Sequence, residues 1–138
     1  MELFNLLKKK KILLIDDDEW IRDSMTLFFE GEGCHIKTLE TAEEGMKEVK
    51  NEAYGIIIAD YRLPGINGLE FLEQVQKLNP NIIKILISAY GNDEILRKAK
   101  RMGIQDFIEK PFTSEIIEAS LSQVLKNKKQ NIRKLSAF

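Results

Sequence analysis

One cysteine, one histidine and no long apolar run limit what this 138-residue chain can be. A lone Cys34 excludes an internal disulfide and fits a reducing compartment, where its ordinary place is that of a small buried hydrophobe. Nothing approaches the roughly 18 consecutive apolar residues of a membrane span, because Lys84 interrupts the longest apolar stretch, Ile82 to Ile87. Leu3 to Leu7 precede the basic run Lys8 to Lys11, the reverse of a secretory signal, so cytoplasmic residence is the expectation. An excess of either charge is also missing. With 21 Lys and Arg against 22 Asp and Glu, the net charge is -1 and no global field recruits nucleic acid or an anionic membrane.

What is present is alternation. A chain of this length buries roughly two-thirds of its unfolded surface, enough for one self-sufficient domain. Short β-rich runs near 12–16, 34–39, 56–60, 82–87 and 104–109 alternate with segments of helical period, such as Ile21, Met25, Phe28 and Ile117, Leu121, Val124. This pattern predicts a parallel sheet with crossover helices. Thr41 with Glu44 reads as a capping box, Gly31, Gly33 and Gly103 as helix stops, and Asn79-Pro80 as the end of the third crossover helix. Runs 1, 3 and 4 are nearly all apolar, as central strands covered on both faces must be, whereas runs 2 and 5 alternate and belong at the edges. The predicted fold is therefore α/β, (βα)5 doubly wound and flavodoxin-like, with strand order 2-1-3-4-5. Its switch point falls between strands 1 and 3.

Polar residues end these runs: Asp16 and Asp17 after strand 1, Asp60 after strand 3, Ser88 after strand 4 and Lys110 after strand 5. Parallel strands bring all five to one sheet edge. Alone, Asp16-Asp17-Asp18-Glu19 is an ordinary acidic helix start, and Asp18 and Glu19 are assigned to that role. Asp60 from a separate strand adds a third carboxylate. Charges ~4 Å apart repel by about 4 kcal/mol at an effective dielectric near 20, so the cluster requires a cation. Oxygen ligands without histidine or thiolate point to Mg²⁺, with Mn²⁺ as the alternative; His35, in the middle of an edge strand, is assigned no metal or catalytic role.

The segments Ile12-Leu-Leu-Ile-Asp-Asp-Asp-Glu19, Asp60-Tyr-Arg-Leu-Pro-Gly-Ile-Asn-Gly68, Ser88-Ala89 and Lys110-Pro-Phe112 together resemble the response-regulator receiver domains of two-component signalling. The resemblance covers about residues 10 to 126, leaving 1–9 as an N-terminal extension and 127–138 as a basic tail or the start of a linker. It implies that Asp60 is the phosphoryl acceptor, that Asp16, Asp17, Asp60 and the Arg62 backbone carbonyl hold Mg²⁺, and that Ser88 and Lys110 contact the phosphoryl group. It also implies a cis Lys110-Pro111 bond and a switch formed by Ser88 and Phe107. Phe107 lacks a tyrosine hydroxyl and is expected to favour an inward rotamer. Arg62 and Tyr90 occupy two positions at which family members vary; both are large here, and the expectation is that they crowd attacking water and prolong the phosphorylated state. Leu63 departs from the family's usual Met, a tolerated exchange. The implied function is a phosphorelay switch rather than an enzyme. Its implied partners are a histidine kinase or a histidine phosphotransfer protein, and a second copy or an output protein docking through the last two helices and the fifth strand. Direct nucleic-acid binding is not expected.

Three other readings remain open on sequence grounds. Asp16-Asp17-Asp18 contains the Asp-x-Asp of haloacid-dehalogenase phosphohydrolases, although Trp20 stands where that family wants Thr or Val. A nucleotide or flavin module of the same topology would need a Gly-rich phosphate loop after strand 1, which is missing. A receiver-like scaffold that works without phosphorylation has the same motifs.

Overall fold

A computed structural model describes the backbone of residues 2–89 and 91–136 and the side chains of 3–89 and 91–127. Five strands, β1 (Lys11–Ile15), β2 (His35–Leu39), β3 (Ile56–Asp60), β4 (Ile83–Ser88) and β5 (Asp106–Glu109), pair in parallel in the order β2-β1-β3-β4-β5. The crossover helices are α2 (Glu19–Gly31), α3 (Ala42–Asn51), α4 (Gly68–Leu78) and α5 (Asp93–Arg101); α6 (Ser114–Ser136) follows β5, and a short α1 (Glu2–Leu7) precedes β1. None of the described helices is long and apolar enough to cross a membrane.

Because side chains alternate along a strand, the sheet divides the core in two. Ile12, Leu14, Ile56, Ile58, Ile83, Ile85, Ile87 and Ile108 form one cluster with residues of α1, α2 and α6. Leu13, Ile15, Ile57, Ala59 and Leu86 form the other with residues of α3, α4 and α5. The central strands β3 and β4 are buried at every position, while β2 exposes His35 and Lys37. This is the edge and centre distribution that the patterning predicts. Lys84, which looks like an interruption in sequence, is wholly buried in β4, its Nζ donating to the Ile82 carbonyl. Its stem packs among apolar neighbours while the ammonium finds backbone oxygen.

Strand boundaries shift where helix ends claim the backbone. Cys34 N–H donates to Phe29 O and Ile104 N–H to Ala99 O, so β2 begins at 35 and β5 at 106, later than the apolar pattern suggests. Gly33 and Gly103 take the left-handed conformation, with φ of 78° and 79°. Gly31 does not; it closes α2 in helical geometry. Asn79 ends α4, its N–H donating to Val75 O. Glu44 N–H donates to Thr41 Oγ1, but the Glu44 carboxylate accepts from the Thr41 hydroxyl, a variant of the usual box. Two features escape the pattern: α1 inserts Phe4 and Leu7 into the core, with Phe4 edge-on to Phe28, and α6 continues as helix to Ser136 through the basic tail.

Candidate phosphoryl-acceptor site

The carboxyl ends of β1 and β3 deliver the acids. The β1–β3 register stops at Ile15 and Ala59, and the next residues, Asp16 and Asp60, are 0% and 4% exposed. Oxygen atoms of Asp16, Asp17 and Asp60 all lie within 4.8 Å of one another. Asp18 leaves the group as the sequence suggests, capping α2 by accepting from Trp20 N–H. Lys110 follows β5, joined to Pro111 by a cis peptide bond, and its N–H donates to the Ser88 carbonyl. Its Nζ reaches across β4 to within 3.0 Å of both Asp60 Oδ2 and Asp16 Oδ2. Ser88 ends β4 fully buried, one residue beyond the Asp60–Ile87 pairing.

Charge in this pocket is out of balance. Burial pushes the Asp16 carboxyl above its ordinary range even though the Asp18 amide and Lys110 pull it down. Burial does the same to Asp60, with the Asp16 charge adding to the rise and Lys110 and the Arg62 amide opposing it. Burial would lower Lys110, but the two carboxylates outweigh it and hold the ammonium above its usual range. One cation cannot satisfy three acids. Asp16 Oδ2 is met by Lys110 Nζ as an ion pair, and this buried oxygen has no further partner among the described residues. An all-oxygen donor set, crowded, under-neutralised and carrying an unfilled buried acceptor, fits a hard divalent cation. Asp16, Asp17 and Asp60 would hold it.

The surrounding backbone is built around Asp60. A β-carbon at Gly68 would stand 1.9 Å from the Asp60 carbonyl oxygen, so only glycine lets α4 begin there. Gly65, at φ 78°, turns the intervening loop, and Glu43 of α3 fastens it by accepting from Ile66 N–H at 3.1 Å. Arg62 is exposed, with its amide directed at the Asp60 carboxylate. Tyr90 lies outside the described residues. Phe107 is half-buried and packed against the α3–α5 cluster. On the opposite face of β5, Asp106 takes the Ser120 hydroxyl of α6 and the Phe107 amide. An apolar groove lined by Trp20, Ile21, Met25 and Phe112 runs beside Lys110, and Trp20 is 78% exposed. Arg22, Glu43 and the Asp106–Ser120 pair went unremarked in the sequence because each acts through a tertiary contact.

Residues 12–122 match the family model for the response regulator receiver domain. The chain belongs to the response regulator receiver family. It is 32% identical over 115 residues to the C4-dicarboxylate transport transcriptional regulatory protein DctD of Pseudomonas aeruginosa, covering 83% of this chain and 25% of that protein. The transcriptional regulatory protein FixJ of Bradyrhizobium diazoefficiens is 25% identical over 118 residues, covering 86% of this chain and 58% of its own. Among solved structures, a CheY-like receiver domain protein from Methanospirillum hungatei superposes with a TM-score of 0.77 at 33% identity, covering 86% of this chain and 98% of that one. The first three curated relatives are longer than this receiver, which spans 25% to 35% of their length. Receiver domains serve two-component signalling, in which histidine kinases and output domains are their partners.

Proposed function

We propose that this receiver takes a phosphoryl group onto Asp60 from the phosphohistidine of a sensor kinase or phosphotransfer protein. The observation that carries this reading is the single ammonium of Lys110 bridging two buried carboxylates within a three-carboxylate cluster. An Asp60 oxygen forms the new O–P bond as the N–P bond of the donor breaks, the electron pair returning to the imidazole, which then takes a proton. A divalent cation held by Asp16, Asp17, Asp60 and the Arg62 carbonyl would neutralise charge on the phosphoryl oxygens. Lys110 neutralises it from the other side, and the Ser88 hydroxyl donates to it. Water later attacks the acyl phosphate, restoring the carboxylate and releasing inorganic phosphate, so the chain catalyses only its own modification and its reversal.

Arrival of the phosphoryl group draws Ser88 toward Asp60 and lets Phe107 fill the vacated space, switching the surface of α5, β5 and α6. That surface binds an output partner or a second copy; the receiver of NtrC4, 28% identical with a TM-score of 0.79 and covering 85% of this chain and 97% of its own, is a beryllofluoride-activated dimer. Arg62 slows hydrolysis by crowding the path of water. We take residues 10–126 as the functional unit.

The test is exposure to a small phosphodonor or to beryllofluoride, with and without Mg²⁺, read by mass at Asp60 and by Trp20 fluorescence. A Mg²⁺-dependent change that disappears in Asp60→Asn is expected. No mass shift and no fluorescence change would remove the reading in favour of a scaffold that works unphosphorylated. Arg62→Ala is expected to shorten the phosphate half-life, and an unchanged half-life removes its tuning role.

A further inference from the structure

At Asp16 the chain leaves the sheet with only half its backbone paired. Its N–H still donates to Leu39 O of β2, but β1–β3 pairing has ended one residue earlier. The carbonyl is instead taken by a side chain: Arg22 Nη1 of α2 donates to Asp16 O at 2.9 Å. The other end of the same guanidinium, Nη2, is held by Glu40 Oε1 at 3.3 Å, at the close of the β2–α3 connection. The Arg22 side chain is only 15% exposed, whereas Glu40 is 66% exposed. A planar fork fixed at both ends gives the accepted oxygen one direction, which a lysine ammonium would not do.

Fixing the Asp16 carbonyl fixes the plane of the peptide that leads into Asp17. The next amide, Asp18 N–H, donates to Asp16 Oδ1 at 2.9 Å. Asp17 thus stands between two anchored peptides, and its own carboxylate makes no hydrogen bond among the described residues. The point and direction at which the Asp17 side chain leaves the chain, beside Asp16, are therefore set by these two peptides. We infer that Arg22 is a positioning residue for the divalent-cation site: by holding the Asp16 carbonyl it sets the spacing of the Asp16 and Asp17 carboxylates. This role rests on the metal reading proposed above.

The sign of one measurement separates positioning from a mere field effect. A guanidinium beside a cation site repels the ion, so if charge were all that mattered, Arg22→Gln would tighten Mg²⁺ binding and Arg22→Lys would leave it unchanged. Positioning gives the opposite. Loss of a partner that orients ligands typically weakens metal affinity ten- to a hundredfold. The experiment titrates MgCl₂ into wild type, Arg22→Gln, Arg22→Lys and an Asp17→Asn control, followed by calorimetry and Trp20 fluorescence, with thermal midpoints of the metal-free proteins recorded alongside. The Mg²⁺ dissociation constant is expected to rise about tenfold or more in Arg22→Gln and measurably in Arg22→Lys. An unchanged or lowered constant in either variant, with a lowered thermal midpoint or without one, overturns the positioning role while leaving the metal site standing. Failure of the wild type to saturate with Mg²⁺ removes the metal reading itself, and the role of Arg22 with it.

Discussion

Neutralising the Asp60 carboxylate should make the metal-free protein more stable. Unit charges 4.8 Å apart repel by about 3.5 kcal/mol at an effective dielectric near 20, and unit charges 3.0 Å apart attract by about 5.5 kcal/mol. Asp60 faces two such repulsions, from Asp16 and Asp17, against one attraction, to Lys110. Exposure of Asp17 trims one repulsion, while desolvation of the nearly buried Asp60 adds to the cost. The balance leaves Asp60→Asn about 1–2 kcal/mol more stable at about pH 7 in chelator, a rise in thermal midpoint of roughly 4–7 °C for a domain of this size. The pH dependence follows from the sign of the shift. Because the folded Asp16 and Asp60 carboxyls titrate above their ordinary range, protonation favours the fold, and the penalty is full above those raised values and fades as pH falls from them toward the ordinary carboxylate range. The advantage of the variant should therefore shrink as pH falls through that range. Excess Mg²⁺ should reverse it by stabilising wild type in proportion to ln(1 + [Mg²⁺]/Kd). The assay is thermal or urea denaturation of both proteins over a pH series, with chelator and with Mg²⁺. A variant that is less stable than wild type in chelator, or an advantage indifferent to pH, would refute the reasoning.

Three further outcomes follow from the geometry. Leu7→Ala should cost about 2–5 kcal/mol in urea unfolding, because the residue is wholly buried in the α2–α6 core; a loss below about 0.5 kcal/mol would mean that α1 is dispensable. Gly68→Ala should cost about 3 kcal/mol or more and impair labelling of Asp60, since the added methyl meets a backbone oxygen that has no room to yield; near-native stability and labelling would contradict this. Trp20→Ala should leave stability within about 0.5 kcal/mol of wild type and labelling by a small phosphodonor unchanged, because the side chain is largely exposed; a larger loss of stability or slower labelling would contradict this.

Much of this molecule is written in local patterns. Continuous apolar runs in β3 and β4, against the alternation around His35 and Lys37, carry the strand order, because burial on one face or two is a property of each strand by itself. The acids, Ser88 and Lys110 are legible because each directly follows or closes an apolar run, and parallel pairing sends those ends to one edge. Contacts between elements are not legible in that way. Arg22 reads as one more helical arginine until Asp16 O and Glu40 are placed around it, and Glu43 as a first-turn acid until the Ile66 amide reaches it. The α1 helix is hidden for another reason: six residues carry almost no helical signal alone, and Phe4 and Leu7 are fixed by the surface they cover.

The division of the core by the sheet has a consequence at its thinnest point. Ser88 shares the face of β4 that carries Leu86, and Phe107 packs on that same side, so any rearrangement between them is felt first by α3, α4 and α5. The α6 helix lives on the other side, with Ile108. What separates the two compartments there is β5, four residues of edge strand paired on one flank only, carrying Phe107 toward one layer and Asp106 toward the other. At this edge a single strand stands between the two layers, whereas β3 and β4 are each paired on both flanks.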